Sequence, residues 1–422
     1  MIFNKTYIEE VLSEKIKEEW KRTNNASGDS FFGLPESSLE EKRINEARVS
    51  ENIEKMRVQM DAFSSPIRNP FWNRKHWKRK TERMFDEILW GEELLGIENV
   101  MSKDGLDGFK EETKTFVRKV RSFDSELQLE DMGQAIRNYI VYAIFRELNG
   151  LPQICTEAIF GYSMLYPYTD NYIDDKNRTK EEKKHYNKLI EDKLKGNTYE
   201  VLSRHEEKTV QLLSAIEGDY ERPNDIYEGL LLMLEAQRNS QYQPESTTPL
   251  TEEEIIDISV YKGGLSVLID RYFVNKSLTE NDLFFYYGFG FLLQLCDDLQ
   301  DITEDKENGS RTLFSVCKTP EETQHVINRL LLYAENLFKR CDCKKEEFKE
   351  FLLRNCYMLI LFSAAGSREH LAEEWIMWAE GRMPVSIEYI DRLKSSFILP
   401  EGESKRRNGK YMKMMDTLLK DG

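Results

Sequence analysis

Two short stretches place carboxylates where they could hold metal ions. In LLQLCDDLQDITED (292–305) an apolar run gives way to Asp297, Asp298, Asp301, Glu304 and Asp305. In YPYTDNYIDDKNR (166–178), Asp170, Asp174 and Asp175 likewise follow an apolar stretch, AIFGYSMLY (158–166). Asp170 and Asp174 share the spacing of Asp297 and Asp301. Four positions on a helix of about 3.6 residues per turn bring both side chains onto one face, a turn apart. Each stretch therefore reads as a two-carboxylate comb at the C-terminal end of an apolar helix, flanked by Asp175 in one case and Asp298 in the other. Burying such acids unpaired is expensive, because like charges repel and each loses its hydration. A divalent cation removes both objections, and carboxylate oxygens, water and a phosphate oxygen are the usual Mg²⁺ shell. Combs facing each other across a helical bundle would hold several Mg²⁺ ions around one diphosphate. The apolar stretches would then line a pocket for a hydrophobic tail. A single D-x-x-x-D is most often a solvated helix face; the pair, each member ending an apolar helix, is what points to metal.

The elements that must position these acids are helices. Ser38-x-x-Glu41, Thr179-x-x-Glu182, Thr251-x-x-Glu254 and Thr319-Pro320-x-Glu322 have the form of capping boxes. No alternating run is flanked by a hairpin turn, so the chain is expected to be all-α. Three regions are expected: a helical N-terminal region over 1–125, a catalytic bundle over 126–398 and a charged tail over 399–422. The basic, aromatic segment NPFWNRKHWKRK (69–80) is expected to be a surface helix with its tryptophans turned inward. QYQPESTTPL (241–250) is expected to be a loop between two long helices. A net charge of −16 argues against a nucleic-acid partner. The longest uncharged apolar run, Leu283 to Cys296, has 14 residues, too short for a membrane span. Six cysteines without a C-x-x-C pair, and an N-terminus without an apolar signal core, fit a reduced, cytoplasmic protein.

The core, roughly 130–370, resembles the isoprenoid synthase superfamily: trans-prenyl diphosphate synthases, squalene and phytoene synthases, and class I terpene synthases. GFGFLLQLCDDLQDITED (288–305) is similar to the second aspartate-rich motif of that family, with Gln294, Asp297, Asp298 and Asp301 on the matching positions. TDNYIDD (169–175) is similar to the first motif in its D-x-x-x-D form. YKGGLSVLID (261–270) resembles the helix that carries a lysine ahead of the second motif, here Lys262, and NGSRTLFS (308–315) resembles the segment after it, with Arg311. The resemblance implies an all-α bundle around a central cavity, three Mg²⁺ ions, and a prenyl diphosphate substrate. Asp170, Asp174, Asp175, Asp297, Asp298 and Asp301 would hold metal, and Lys262, Arg311 and Gln294 would contact the diphosphate. Tyr162, Tyr166, Tyr286 and Phe289 would line the cavity, where ring faces stabilise a carbocation. Gln237, Ser240 and Gln241 stand late in an apolar helix and are further cavity candidates. His185, His205, His325 and His370 read as surface residues, and Cys296 as packing.

The departures select within the family. No Arg-Arg pair follows the first motif and no Gly-Gly-Lys-x-x-Arg segment occurs, so a homoallylic second substrate lacks an evident site. The pattern is closest to the bacterial large-terpene synthases. The expectation is a Mg²⁺-dependent terpene synthase acting on one prenyl diphosphate. The alternatives are a prenyltransferase joining two diphosphates and a non-catalytic helical binding subunit. Family members include monomers and dimers, so a homodimer is one expected assembly. Asp170→Ala and Asp297→Ala should each abolish turnover while leaving the far-ultraviolet helical signal unchanged; near-full activity in either variant would sink the paired-comb model.

Overall fold

The computed structural model describes residues 2–26, 34–64, 77–84, 96–241, 250–397 and 401–419. Among these residues the regular elements are helices and none is a strand. No described helix is long and apolar enough to cross a membrane. The chain divides into two compact units, one of Met1–Gly33 with Asp131–Ile376, the other of Leu34–Glu130 with Met377–Gly422. This division differs from the linear one expected at 125/126 and 398/399, because packing joins segments distant in sequence.

In the first unit, α1 (Ser13–Lys21) continues a π turn, Ile8–Leu12. It is followed by α2 (Leu129–Leu148), α3 (Glu157–Asp174), α4 (Lys180–Lys195), α5 (Arg204–Asp219) and α6 (Asp225–Gln241). Then come α7 (Glu252–Val274), α8 (Glu280–Gln300), the short α9 (Ile302–Asn308), α10 (Pro320–Lys339) and α11 (Glu346–Gly366). The capping boxes at Thr179 and Thr251 form as read, with the hydroxyl and Glu182 or Glu254 exchanging bonds with the backbone. Thr319 accepts from the Glu322 amide with Pro320 in the first turn. Thr279 adds a box that the sequence pattern concealed, because its partner is the shorter Asp282.

Helix α8 is buried on every side from Phe284 to Leu292, as the middle of a helix at the centre of a bundle must be. Its contact with α7 is set by glycine. A Cβ placed on Gly263 would stand 2.5 Å from the Gly290 carbonyl oxygen, and one on Gly290 would run into the Gly263 carbonyl. A Cβ on Gly264 would stand 2.5 Å from the Tyr287 ring. Only hydrogen in place of a side chain lets the two backbones approach so closely. The first residues of the chain belong to this unit. Trp20 is fully buried, edge-on to Phe291 at 5.6 Å and beneath the Arg329 guanidinium at 4.1 Å. The Ser13 and Tyr287 hydroxyls lie 2.9 Å apart.

In the second unit, the helices Leu39–Ser64, Lys103–Phe123, Ile387–Phe397 and Glu401–Leu419 are joined by long-range contacts. The Ser38 cap forms with Glu41. The C-terminal segment expected as a charged tail is largely one helix built into this unit. Met414 is buried with Met60 and Trp77, and Asp416 takes two bonds from Arg121 at 2.8 and 3.2 Å. Tyr411, Met414 and Leu418 recur at helical spacing and supply the apolar stripe that charge density hid. Trp77 turns inward as expected, its ring 4.9 Å from Phe63; residues 69–76 and 242–249 of the segments named above lie outside the described residues.

Gly290→Ala should cost about 2–3 kcal/mol through overpacking at the crossing. Gly133→Ala and Gly218→Ala, where an added Cβ meets nothing within 4 Å, should be neutral or stabilising. Urea midpoints of the three variants check this, and equal midpoints would remove the tight crossing as a constraint.

Candidate metal and diphosphate site

Both acidic stretches sit at helix ends, where the macrodipole is negative and a carboxylate is least welcome. Asp174 is the last residue of α3, and Asp301 breaks the chain between α8 and α9. Asp170 is half-buried one turn above Asp174. Gln237 on α6 donates to its Oδ1 at 2.6 Å, and the Thr169 hydroxyl donates to the same atom at 3.3 Å. Burial raises the Asp170 carboxyl, Lys262 opposes the rise and Asp174 adds to it. Asp174 is raised by lost hydration too, again opposed by Lys262, with Lys183 assisting and Glu304 resisting.

On α8, Asp298 is buried, takes a bond from Gln294 at 2.8 Å, and leaves its Oδ2 without a hydrogen-bond partner. Burial lifts it to about 7. Asp297 reaches solvent yet is walled by enough protein to lose hydration; that loss and the neighbouring Asp301 charge lift it to about 6. Asp301 is raised by lost hydration and by Glu304. Asp305, at the same helical spacing, is lifted to about 6 by burial despite a bond from Thr312 at 3.2 Å.

Lys262 ties the two stretches together. Its charge acts on Asp170 and Asp174 of the first, and on Asp297, Asp298 and Asp305 of the second. Both clusters thus lie within electrostatic reach of one ammonium, a range of about 10 Å. Just beyond the clusters, the Lys176 ammonium donates to Asn308 Oδ1 at 3.1 Å, joining the loop after α3 to the end of α9. Arg137 on α2, exposed, also acts on Asp297 and Asp301.

Not every residue singled out in the sequence joins this group. Asp175 is taken up in the turn after α3: its Oδ1 accepts the Asn177 amide at 2.8 Å and the Asn177 side chain at 2.9 Å, which lowers its pKa. Gln294 is engaged with Asp298. Arg311 is half-buried in the loop after α9, and no described bond links it to the acids. Tyr162 and Tyr166 line an apolar cavity with Thr169, Leu213, Met233 and Gln237. Tyr286 and Phe289 do not: Tyr286 accepts from Asn149 at 2.7 Å and meets Phe145 edge-on at 4.7 Å, and Phe289 packs on Phe145 and Phe338. They lie on the wrong face of α8, which helical spacing alone could not distinguish. The Ser240 hydroxyl turns back to the Gln237 carbonyl, and the Gln241 side chain lies outside the described residues.

The cavity is small, about 40 Å³, room for a few waters. A second space, an open polar cleft of about 530 Å³, is walled by Asp301, Glu304, Glu307, Lys176 and Asn308. Among the described residues no group of three or more His, Cys, Asp or Glu is placed to hold a metal ion by itself. Mg²⁺ commonly takes only one or two carboxylates per ion, with water and phosphate completing the shell. The desolvated acids and the orphaned Asp298 oxygen are the features such ions would relieve. Asp305 and Arg137 were not assigned from sequence. Asp305 continues the four-residue spacing and was recoverable, whereas Arg137 carries no local signal. Comparisons with family models, with characterised proteins and with solved structures find no match to this chain.

Because Asp297, Asp298 and Asp305 titrate higher folded than unfolded, they stabilise the fold fully below about pH 4, and that contribution is lost as the pH rises through about 6–7. Mg²⁺ needs the ionised acids. Its stabilising shift in melting temperature should therefore be small at about pH 5 and reach several degrees at about pH 8. A shift of equal size at both pH values would mean that the ion binds elsewhere.

Proposed function

We propose that this chain is a Mg²⁺-dependent class I terpene synthase, which ionises one prenyl diphosphate and releases pyrophosphate with a linear or cyclic terpene. The observation that carries the proposal is the placement of two acid clusters at the C-terminal ends of α3 and α8, one of them with the buried Asp298 Oδ2 left without a hydrogen-bond partner. Asp170 and Asp174 would hold metal from α3, and Asp297 and Asp301, with Asp305, from α8 and α9. When bound, Mg²⁺ supplies Lewis-acid neutralisation of the charge that develops on the leaving diphosphate. Lys262 would donate to the same oxygens. Gln237 and Gln294 hold Asp170 and Asp298 in one orientation each, so that less ordering remains when substrate arrives. The carbon–oxygen bond breaks with its electron pair leaving on the diphosphate. The allylic cation then gives a proton to the departing pyrophosphate to form an olefin, or takes water, whose extra proton passes to the pyrophosphate, to form an alcohol. Tyr162 and Tyr166, kept as neutral phenols by burial, offer ring faces to positive charge. A hydrocarbon chain needs more room than the present cavity of about 40 Å³. A cytoplasmic site of action accords with six free cysteines.

Arg137 favours a second reading. An exposed guanidinium near Asp297 and Asp301 offers a further anion locus, as a prenyltransferase joining two diphosphates requires. The small cavity favours the non-catalytic binding subunit. Incubation with Mg²⁺ and single prenyl diphosphates of graded length, read by pyrophosphate release and extraction of hydrocarbons, separates the three. Product from one substrate alone is the expected result, and Lys262→Met should lower its rate by about 10²-fold or more. Turnover only on adding isopentenyl diphosphate or a second allylic diphosphate would make the chain a prenyltransferase. No pyrophosphate release with any combination would leave the binding subunit.

A further inference from the structure

His205 stands at the start of α5, behind the turn of α3 that carries Asp170, and its sequence context gave it no role. Its ring is stacked on Tyr168, at 5.0 Å and 23°, and on Tyr172, at 4.8 Å and 21°. Its Nε2 lies 2.8 Å from the Tyr168 carbonyl oxygen. A carbonyl can only accept, so Nε2 carries the proton and donates. The same carbonyl accepts the Tyr186 hydroxyl at 2.9 Å, and that hydroxyl is 2.8 Å from Thr209 of α5. Tyr186 also closes on the Tyr172 ring, at 4.3 Å. Thus α4 and α5 grip one carbonyl and two rings of α3.

The gripped turn carries Asp170. Tyr168 and Tyr172 lie two positions to either side of it, and two positions on a helix turn a side chain to roughly the opposite face. The rings therefore hold the back of the turn whose front presents Asp170 to Gln237. The turn needs such support. Pro167 lies inside α3 with no amide hydrogen to donate, and a ring there crowds the preceding turn.

We infer that His205 is a positioning residue for the Asp170–Asp174 comb, with Tyr168 and Tyr172 as the surfaces through which it acts. The inference rests on the metal–diphosphate function proposed above, and its test is arranged so that the two can fail separately. His205→Ala removes stack and bond, whereas His205→Phe keeps the stack alone; Glu207→Ala, exposed on the same helix, is the control. The first readout is the Mg²⁺ concentration giving half the melting-temperature shift in the presence of inorganic pyrophosphate. The second is hydrogen exchange of residues 168–175 in the metal-free protein, which needs no ligand. His205→Ala should raise the Mg²⁺ midpoint by about tenfold, as loss of a residue supporting metal ligands commonly does. It should also speed exchange in 168–175 without speeding it across the remaining bundle, and His205→Phe should fall between it and the parent. A midpoint and an exchange pattern both equal to the parent's would overturn the inference, as would faster exchange spread evenly over the bundle. If the parent shows no shift with Mg²⁺ and pyrophosphate, the proposed function falls, and local exchange alone then decides the positioning role. Should His205→Ala fail to fold, His205→Phe against the parent gives the same decision.

Discussion

The near-contact of two backbones at Gly263 and Gly290 is the constraint on which the site depends. Helix packing normally keeps axes about 8–10 Å apart because side chains intervene. Here hydrogen stands where Cβ atoms would collide with carbonyl oxygens. That approach puts Lys262, next to Gly263, within electrostatic reach of the acids at the end of α8. It also sets Gln294 against Gly263, a turn before the Asp298 it holds. The N-terminal segment secures the same crossing from outside, since Ser13 meets the Tyr287 hydroxyl and the Tyr287 ring fills the space beside Gly264.

The fold concentrates negative charge where physics least favours it. The acids stand at the C-terminal ends of α3 and α8, with like charges one turn away and reduced hydration. Lys262 offsets only part of this: its effect is opposed to, and smaller than, that of lost hydration at each acid it reaches. Such an arrangement stores a demand for cations that the protein itself does not meet. Asp175 shows the contrast. Bound by Asn177 and close to Arg178, it is satisfied within its own turn and holds no such demand.

Support for the acids comes from every side of the first unit. Gln237 reaches Asp170 from α6, Thr312 reaches Asp305 from the loop after α9, and Lys176 bridges to Asn308. Behind α3, Tyr186 and His205 add two donors to one carbonyl near Pro167. The apolar cavity between α3 and α6 is small, about 40 Å³.

The sequence by itself determined the helical class, the helix starts at Ser38, Thr179, Thr251 and Thr319 and the two acid combs, because these are local properties. A capping box needs four residues, and a comb needs one turn. The inward Trp77 and the central burial of α8 were legible from composition for the same reason. Partnership and facing were not. Tyr162 and Tyr286 both stand on apolar helices with aromatic neighbours, yet one lines the cavity and the other lies in an aromatic core with Asn149 and Phe145. Asp174 and Asp175 are adjacent, yet one faces Lys262 and the other closes a turn. The tail's Met414 and the histidine behind the comb owe their roles to residues far away in the chain. The tertiary structure decided these cases, because which face of a helix meets which neighbour depends on the packing of the whole unit and not on spacing within one segment.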